Sequence, residues 1–297
     1  MPPEQLLSFV IVSFNAREHL RRCLRSLFRH QRGAFEVVVV DNDSRDGSAD
    51  MVAREFPAVR LIRSTVNRGF SAGANLGASE ARGDVIVFLN PDCELSDDAF
   101  SAAAAYLRSH PEAGALGIKI VDPDGRLQLS VRRFPDLTAS LFNRYSLLTR
   151  LFPGNPLSRR YLMTDWSHDE IAEVDWVSGA CLVTTRATLK NVGSFDEGYF
   201  WGFEDVDFCQ RVHRAGLKVI YFPQTKVTHE IGASARTVPS KALIARHRGM
   251  WRYYRAYLAR SAPLDVLVFA GIWLRCALML ATGWLRRKLT ELRDRAM

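Results

Sequence analysis

Phe35–Ser48 reads FEVVVVDNDSRDGS, four consecutive valines running into a dense polar loop. A continuous apolar run of this length, with no alternation, is what a strand buried on both faces of a parallel sheet requires. The pattern recurs on either side. Ser8–Phe14 (SFVIVSF) is a second β-rich run, and the segment from Glu18 to Phe28 sets Leu20, Cys23, Leu24, Leu27 and Phe28 on one helical face. A helix over Ser48–Phe56, a strand VRLIR, a helix over Ser71–Ala81 and a strand over Val85–Leu89 follow in order. Strand and helix in alternation predict an α/β fold, a doubly wound and mostly parallel sheet.

In such sheets a ligand sits at the carboxyl ends of the strands. That rule selects Asn15 and Arg17 after the first strand, Asp41–Ser48 after the second, Asn67–Asn75 after the third and Asn90–Glu94 after the fourth. Each loop also has an ordinary reading, because Asn, Asp, Ser and Gly are the usual turn and cap residues. GFSAGANLG lacks the GxGxxG order of a dinucleotide loop, so its glycines are read as sites of close helix packing. Asn90-Pro91-Asp92 is sharper. Proline ends the buried strand and leaves Asp92 at its terminus, where a hard carboxylate oxygen suits Mg²⁺ or Mn²⁺ on a diphosphate.

The second half is less regular. Asp122–Glu173 mixes Pro, Gly, Arg and Ser and predicts a mobile loop or a poorly packed excursion. Strand character resumes in VDWVSGACLVTTR, Val174–Arg186, where Ser178, Gly179 and Ala180 are small enough for a substrate to pass close. Phe200–Cys209, FWGFEDVDFC, then sets Glu204, Asp205 and Asp207 among aromatic residues. Acidic residues suit the first turn of a helix running to about Ala215. An unpaired carboxylate in apolar surroundings is costly, so the cluster equally fits a site with a chemical purpose. Asp207 has a partner four residues on, in Arg211. His229 follows the strand KVIYF and a further short strand.

The net charge of +8 is carried by the end of the chain: residues 236–297 hold 13 Lys plus Arg against 3 Asp plus Glu. These cations flank an apolar run, Val266–Leu285, followed by Arg286, Arg287 and Lys288, which points to a membrane surface and away from nucleic acid. Twenty residues just reach across a bilayer of about 30 Å. Arg275 in mid-run favours an interfacial or shallowly inserted helix over a span. A helix buried against the soluble core stays open. Arg246–Arg260 interleaves cations and aromatics, fitting an anionic headgroup, an acceptor pyrophosphate or an amphipathic helix packed on the main domain. The five cysteines are scattered without a CxxC pair, suggesting neither disulfides nor zinc, and the N-terminus lacks the features of a signal peptide, so a cytoplasmic setting is expected.

Taken together and in order, SFVIVSFN, VVVVDNDSRDGS, NRGFSAGANLG, VIVFLNPDCEL, WVSGACLVTTR, GSFDEGYFWGFEDVDFCQR and the later His229 resemble the GT-A glycosyltransferases of family 2 over roughly residues 6–235, most of all a rhamnosyltransferase-like subgroup working on lipid-linked or cell-wall glycans. The resemblance implies a GT-A fold over 1–235, with a nucleotide-sugar half to about 120, an acceptor half to 235 and a helical, membrane-associated extension over 236–297. It implies an inverting transfer from a nucleoside diphosphate sugar, with dTDP-L-rhamnose the favoured donor, to a glycan or polyprenyl diphosphate sugar on the inner face of the cell membrane. Carried over by position, Asn15 and Asp41 lie against the nucleoside, while Asn67 and Gly69 shape the donor pocket. Asn90 and Asp92 match the ends of the DXD motif, and Asp92 with His229 would hold Mg²⁺ or Mn²⁺. Asp205 matches the general base, and Glu204, Trp176 and Gly179 would face the acceptor. Asn90 departs from the pattern, lowering the charge at the metal.

Two other readings compete. A sugar nucleotidyltransferase would want a glycine-rich basic loop after the first strand, where FNAREHL offers only Arg17. A noncatalytic sugar-nucleotide-binding protein would have no need of Asp205 beside Glu204.

Overall fold

The computed structural model describes residues 6–137, 152, 155–230 and 239–296, with the side chains of the last helix described to Leu285 and at Lys288. In chain order the elements are β1 (Leu7–Ser13), α1 (Arg17–His30), β2 (Phe35–Asn42), α2 (Ser48–Glu55), β3 (Arg60–Ser64), α3 (Gly69–Glu80), β4 (Val85–Leu89), β5 (Cys93–Leu95), α4 (Ser101–Ser109), β6 (Ala113–Val121), β7 (Val131–Arg132), α5 (Pro156–Leu162), β8 (Ala172–Glu173), β9 (Trp176–Val177), β10 (Cys181–Thr185), α6 (Arg186–Val192), α7 (Glu204–Arg214), β11 (Lys218–His229), α8 (Pro239–Tyr257) and α9 (Ala262–Ala296). Much of the irregular stretch expected over 122–173, from 138 to 151 and at 153–154, lies outside the described residues.

The main sheet runs β3-β2-β1-β4-β10-β6-β11-β5, with β8 on β11. β1 to β4 are parallel, as the apolar runs predict. β10 is not: it enters the middle of the sheet antiparallel to both β4 and β6. Apolar periodicity carries no sign of direction, so this reversal is invisible in the sequence. Its consequence is that β10 starts at the edge where β4 ends, Cys181 pairing with Leu89, so Ser178–Ala180 reach the ligand edge from an amino end.

Alternation along each strand feeds two cores. Phe9, Ile11, Val37 and Val39 face Leu20, Leu24, Leu27, Met51 and Phe100 of one layer. Val10, Val12 and Val38 face Ala74, Ala78, Phe208, Val212 and Tyr253 of the other. Phe28 is the exception to the expected helical face, half-exposed at the rim against Phe35 and Phe56. α3 packs hard on β1: a Cβ at Gly77 would stand 2.4 Å from Val10 Cγ1, and one at Gly73 2.8 Å from Val12 Cγ1. These glycines serve packing, as expected.

One further correction, and one choice between readings left open, concern the C-terminal half. His229 ends one twelve-residue strand, β11, instead of following a separate short one. Pro223, which cannot donate to a ladder, hides this continuity; the pairing with β6 shifts register between Phe222 and Lys226. α9 is not a buried core helix. The most apolar 18 residues within Ala262–Leu285 have a mean hydropathy of 2.0, yet only 11% of them are buried.

Candidate active site

The loops at the carboxyl edge are stitched to one another by side chains the sequence placed there. Asn15, in left-handed backbone with φ 49°, donates its N–H to Ser44 Oγ at 2.9 Å and accepts Arg45 N–H on Oδ1 at 2.8 Å. Asp41 is buried; its Oδ2 accepts Ser44 N–H at 3.1 Å and its Oδ1 has no partner. A buried carboxylate oxygen left open calls for a donor. Asn42, which the sequence did not single out, holds the next loop: its amide donates to Asn67 Oδ1 at 3.0 Å and to the Gly69 carbonyl at 2.9 Å. Gly69 has φ +88° and lies so near the Phe200 carbonyl that a Cβ would approach it to 2.3 Å. Phe70 N–H then donates to that carbonyl at 2.7 Å, tying the third loop to the segment before α7.

At the centre of the edge Asn90 N–H donates to the Ala180 carbonyl at 2.9 Å, so the end of β4 and the turn before β10 form one wall. Gly179 N–H donates in turn to Asp205 Oδ2 at 2.9 Å, and Val206 N–H to Asp205 Oδ1 at 2.9 Å. Asp205 and Glu204 open α7 behind Gly202 and Phe203, both in left-handed backbone, with φ 85° and 80°. For a phenylalanine that conformation is strained, and strain of this kind gathers where geometry matters more than stability. Gln210 accordingly donates to Tyr253 Oη at 2.9 Å, and the Phe203 and Tyr253 rings meet at 5.7 Å, clamping this corner to α8.

The two adjacent acids have different surroundings. Glu204 is 6% exposed, with Oε2 unpartnered, and burial, reinforced by the Asp205 charge, pushes its carboxyl up to about 8. Burial raises Asp205 as well, opposed by the Gly179 and Val206 amides and the nearby Arg132 guanidinium. The pair shares charge unequally: the amides favour the ionised form at Asp205, leaving the proton on Glu204. The arrangement is a carboxylate able to accept a proton beside a carboxylic acid able to donate a hydrogen bond. Asp207 stands apart, with Oδ2 on Arg211 Nε at 2.9 Å as expected and Oδ1 accepting Tyr257 Oη–H at 2.7 Å.

Asp92 and His229 meet at the end of β11, Asp92 Oδ1 lying 3.2 Å from His229 Nε2. Gln128, absent from the sequence reading, decides what that contact means. Its amide nitrogen faces Asp122 Oδ1 at 2.5 Å and the His229 carbonyl at 2.7 Å, so its Oε1 faces His229 Nδ1 at 2.9 Å. Nδ1 therefore donates to Gln128, which leaves Nε2 free to coordinate a cation beside a buried carboxylate oxygen with no hydrogen-bond partner. A carboxylate oxygen and an imidazole nitrogen set together in this way fit a cation. Cys93 is the third group within reach, all three ligand atoms lying within 4.8 Å, but its thiol donates to the Ala180 carbonyl at 3.4 Å and burial pushes it well up, so it stays neutral. Hard oxygen and imidazole donors suit Mg²⁺ or Mn²⁺.

Trp176 is placed less openly than expected. It is 7% exposed, its indole N–H donates to the Arg133 carbonyl at 2.9 Å, and the Arg132 guanidinium stacks over its ring at 5.1 Å.

A twisted sheet of this topology, with the DXD-like turn, the paired acids and the terminal histidine on one edge, is a GT-A glycosyltransferase fold. Residues 8–165 match the glycosyl transferase family 2 domain, and 172–232 match a domain described as the N-terminal domain of galactosyltransferase. The chain is 30% identical to an N-acetylglucosaminyl-diphospho-decaprenol L-rhamnosyltransferase of Mycobacterium tuberculosis, over 97% of each chain. It is 24% identical to rhamnosyltransferase WbbL of Escherichia coli, over 88% of this chain and 95% of that one. Among solved structures, a mannosyltransferase of Pyrobaculum calidifontis in complex with GDP-Man and Mn²⁺ superposes with a TM-score of 0.56 at 19% identity, covering 95% of this chain and 71% of that one. GalNAc-T7 with UDP, GalNAc and Mn²⁺ gives 0.57 at 19% identity, over 76% and 43%. The chain belongs to glycosyl transferase family 2, within its rhamnosyltransferase-like members, and is a glycosyltransferase.

Proposed function

We propose that this enzyme transfers a sugar, with inversion, from a nucleoside diphosphate donor to a lipid-linked glycan, with dTDP-L-rhamnose as the donor and a polyprenyl diphosphate GlcNAc as the acceptor. The observation that carries the chemistry is Asp205, oriented by two backbone N–H groups beside the buried Glu204, whose carboxyl burial pushes up to about 8. Asp205 takes the proton of the acceptor hydroxyl; the oxygen bonds to the anomeric carbon as the bond to the diphosphate breaks, and no covalent enzyme intermediate is required. Glu204, holding its proton, donates to the acceptor and keeps a second negative charge away from the nucleophile.

The donor lies along the first half of the edge. The open Asp41 oxygen receives an N–H of the base, with Asn15 beside it, and Asn67 and Gly69 set the floor of the sugar pocket. Asn90 and Asp92 meet the diphosphate. When bound at Asp92 and His229, Mg²⁺ or Mn²⁺ supplies positive charge against the departing diphosphate. Gly179 and Trp176 bound the acceptor side, Trp176 through the position it gives Arg132. The division into a donor half to about residue 120, an acceptor half to 235 and a C-terminal extension contacting the inner face of the membrane follows the same reading. What supports lipid and rhamnose is the relative from M. tuberculosis, whose name states both.

The test is release of nucleoside diphosphate from a panel of sugar nucleotides, with and without the lipid-linked acceptor. Metal-dependent release from dTDP-rhamnose, stimulated by acceptor, is expected. Asp205→Asn should lower turnover by about 10²- to 10⁴-fold with donor affinity retained. Undiminished turnover in that variant would remove Asp205 as the base.

A further inference from the structure

α9 has two unlike sides. At about 100° per residue, Leu267, Leu274, Leu278 and Leu285 fall on one line of the helix, and they are 70%, 63%, 58% and 51% exposed. On the opposite side Ile272 and Cys276 are buried, Phe269 meets the Trp251 ring of α8 at 5.1 Å, and Asp265 accepts Tyr254 Oη–H and Arg255 Nη1–H at 2.7 Å each. Arg275 lies about a quarter-turn from the leucine line and is half-buried.

These positions distinguish a helix that crosses a bilayer from one that lies on it. α8 packs along the inner side of α9 and carries Arg246, Arg248, Arg252 and Arg255. A crossing α9 would draw this charged partner into hydrocarbon and set Arg275 near its middle. With α9 in the plane of the surface, the four leucines enter the acyl boundary together, Arg275 sits at headgroup height on the flank, and α8 remains on the aqueous side. The charge fits a bilayer as occupant: α8 holds five Lys or Arg and no Asp or Glu, two of them paired with Asp196 and Asp265, and Arg286, Arg287 and Lys288 follow Leu285.

We propose that α9 docks in the plane of an anionic bilayer surface, leucine line down, without crossing it. The proposal deepens, and rests on, the membrane contact of the preceding section. Because α8 lies between α9 and the corner that carries Glu204 and Asp205, the docked helix braces that corner from below.

The test uses the full chain with one nitroxide at a time, introduced through Leu267→Cys, Leu274→Cys, Leu278→Cys and Leu285→Cys; the five native cysteines are all buried. Depth is read by collision with oxygen and with a water-soluble relaxant on phosphatidylglycerol vesicles. All four labels should report one shallow depth. Labels 274 and 278 deeper than 267 and 285 would mean a crossing helix, overturning the in-plane geometry and sparing membrane contact. Failure of the unlabelled chain to bind the vesicles would overturn both. Labels shielded from lipid and water in a chain of doubled mass would place a second copy on this face and overturn the proposal. The double variant Leu267→Glu, Leu278→Glu should bind vesicles at least about tenfold more weakly while turnover on a water-soluble GlcNAc diphosphate acceptor is unchanged. Loss of that turnover as well would make the leucines structural and sink the proposal, whereas inactivity of the parent chain on every acceptor would count only against the acceptor assignment.

Discussion

The pair Glu204 and Asp205 shows how neighbouring acids acquire different roles from their hydrogen bonds. Glu204, ordinarily near 4.5 and here near 8, binds its proton more tightly folded than unfolded. Its contribution to stability is therefore least unfavourable below about pH 4.5 and becomes fully destabilising above about pH 8, so over that window stability falls as pH rises. Glu204→Gln should flatten that slope and raise the melting temperature most at pH 8, measurable by thermal unfolding across the range; an unchanged slope would assign the pH dependence elsewhere. Gln128 makes a similar argument for His229. Gln128→Ala frees the imidazole to change tautomer, and Mn²⁺ affinity should drop about 10- to 100-fold by calorimetric titration. Equal affinity would mean that Gln128 does not set the tautomer. The acids and amides of the carboxyl edge were legible in the sequence because each follows an apolar run. Gln128 was not, since it sits in a stretch without periodicity and acts through a residue a hundred positions away.

Among the elements, α8 is the one where the structure decides most between readings the sequence left open. Its alternation of cations and aromatics fits a headgroup site or a helix packed on the main domain, and the structure shows the packing: Tyr257 is held on Asp207, Tyr253 lies in the second core, and Arg252 pairs at the surface with Asp196 at 2.7 Å. Gly249 is a point of close approach, where a Cβ would meet the Gly202 carbonyl at 2.5 Å. Gly249→Ala must push α8 away from the strained turn before Glu204, and we expect turnover to fall several-fold with donor affinity unchanged, in steady-state kinetics with parallel donor titration. Wild-type turnover would show the brace to be dispensable. β10 and β11 mark the limits of reading elements from sequence. Side-chain period sets a strand's faces but not its direction, and Pro223 divides in sequence what the backbone continues in space.

At the scale of the whole molecule, charge and apolar surface are segregated to one end. The body to residue 235 is nearly neutral, and the following 62 residues carry the net positive charge. Vesicle binding should therefore weaken steeply as salt is raised and be much poorer on neutral phosphatidylcholine, as cosedimentation would read; salt-indifferent binding would assign docking to the leucines alone. Composition made this asymmetry plain, whereas the side of α9 that faces outward had to come from the structure. The packed path from α9 through α8 to the turn at Gly202 has a kinetic consequence. Docked as proposed, the enzyme would meet a lipid-linked acceptor by lateral diffusion in two dimensions, and its rate would follow the surface density of the acceptor among other lipids and not its amount per volume. Diluting the acceptor with inert lipid at constant total concentration would slow the reaction, and adding more vesicles of the same composition would not hasten it once all the enzyme is bound.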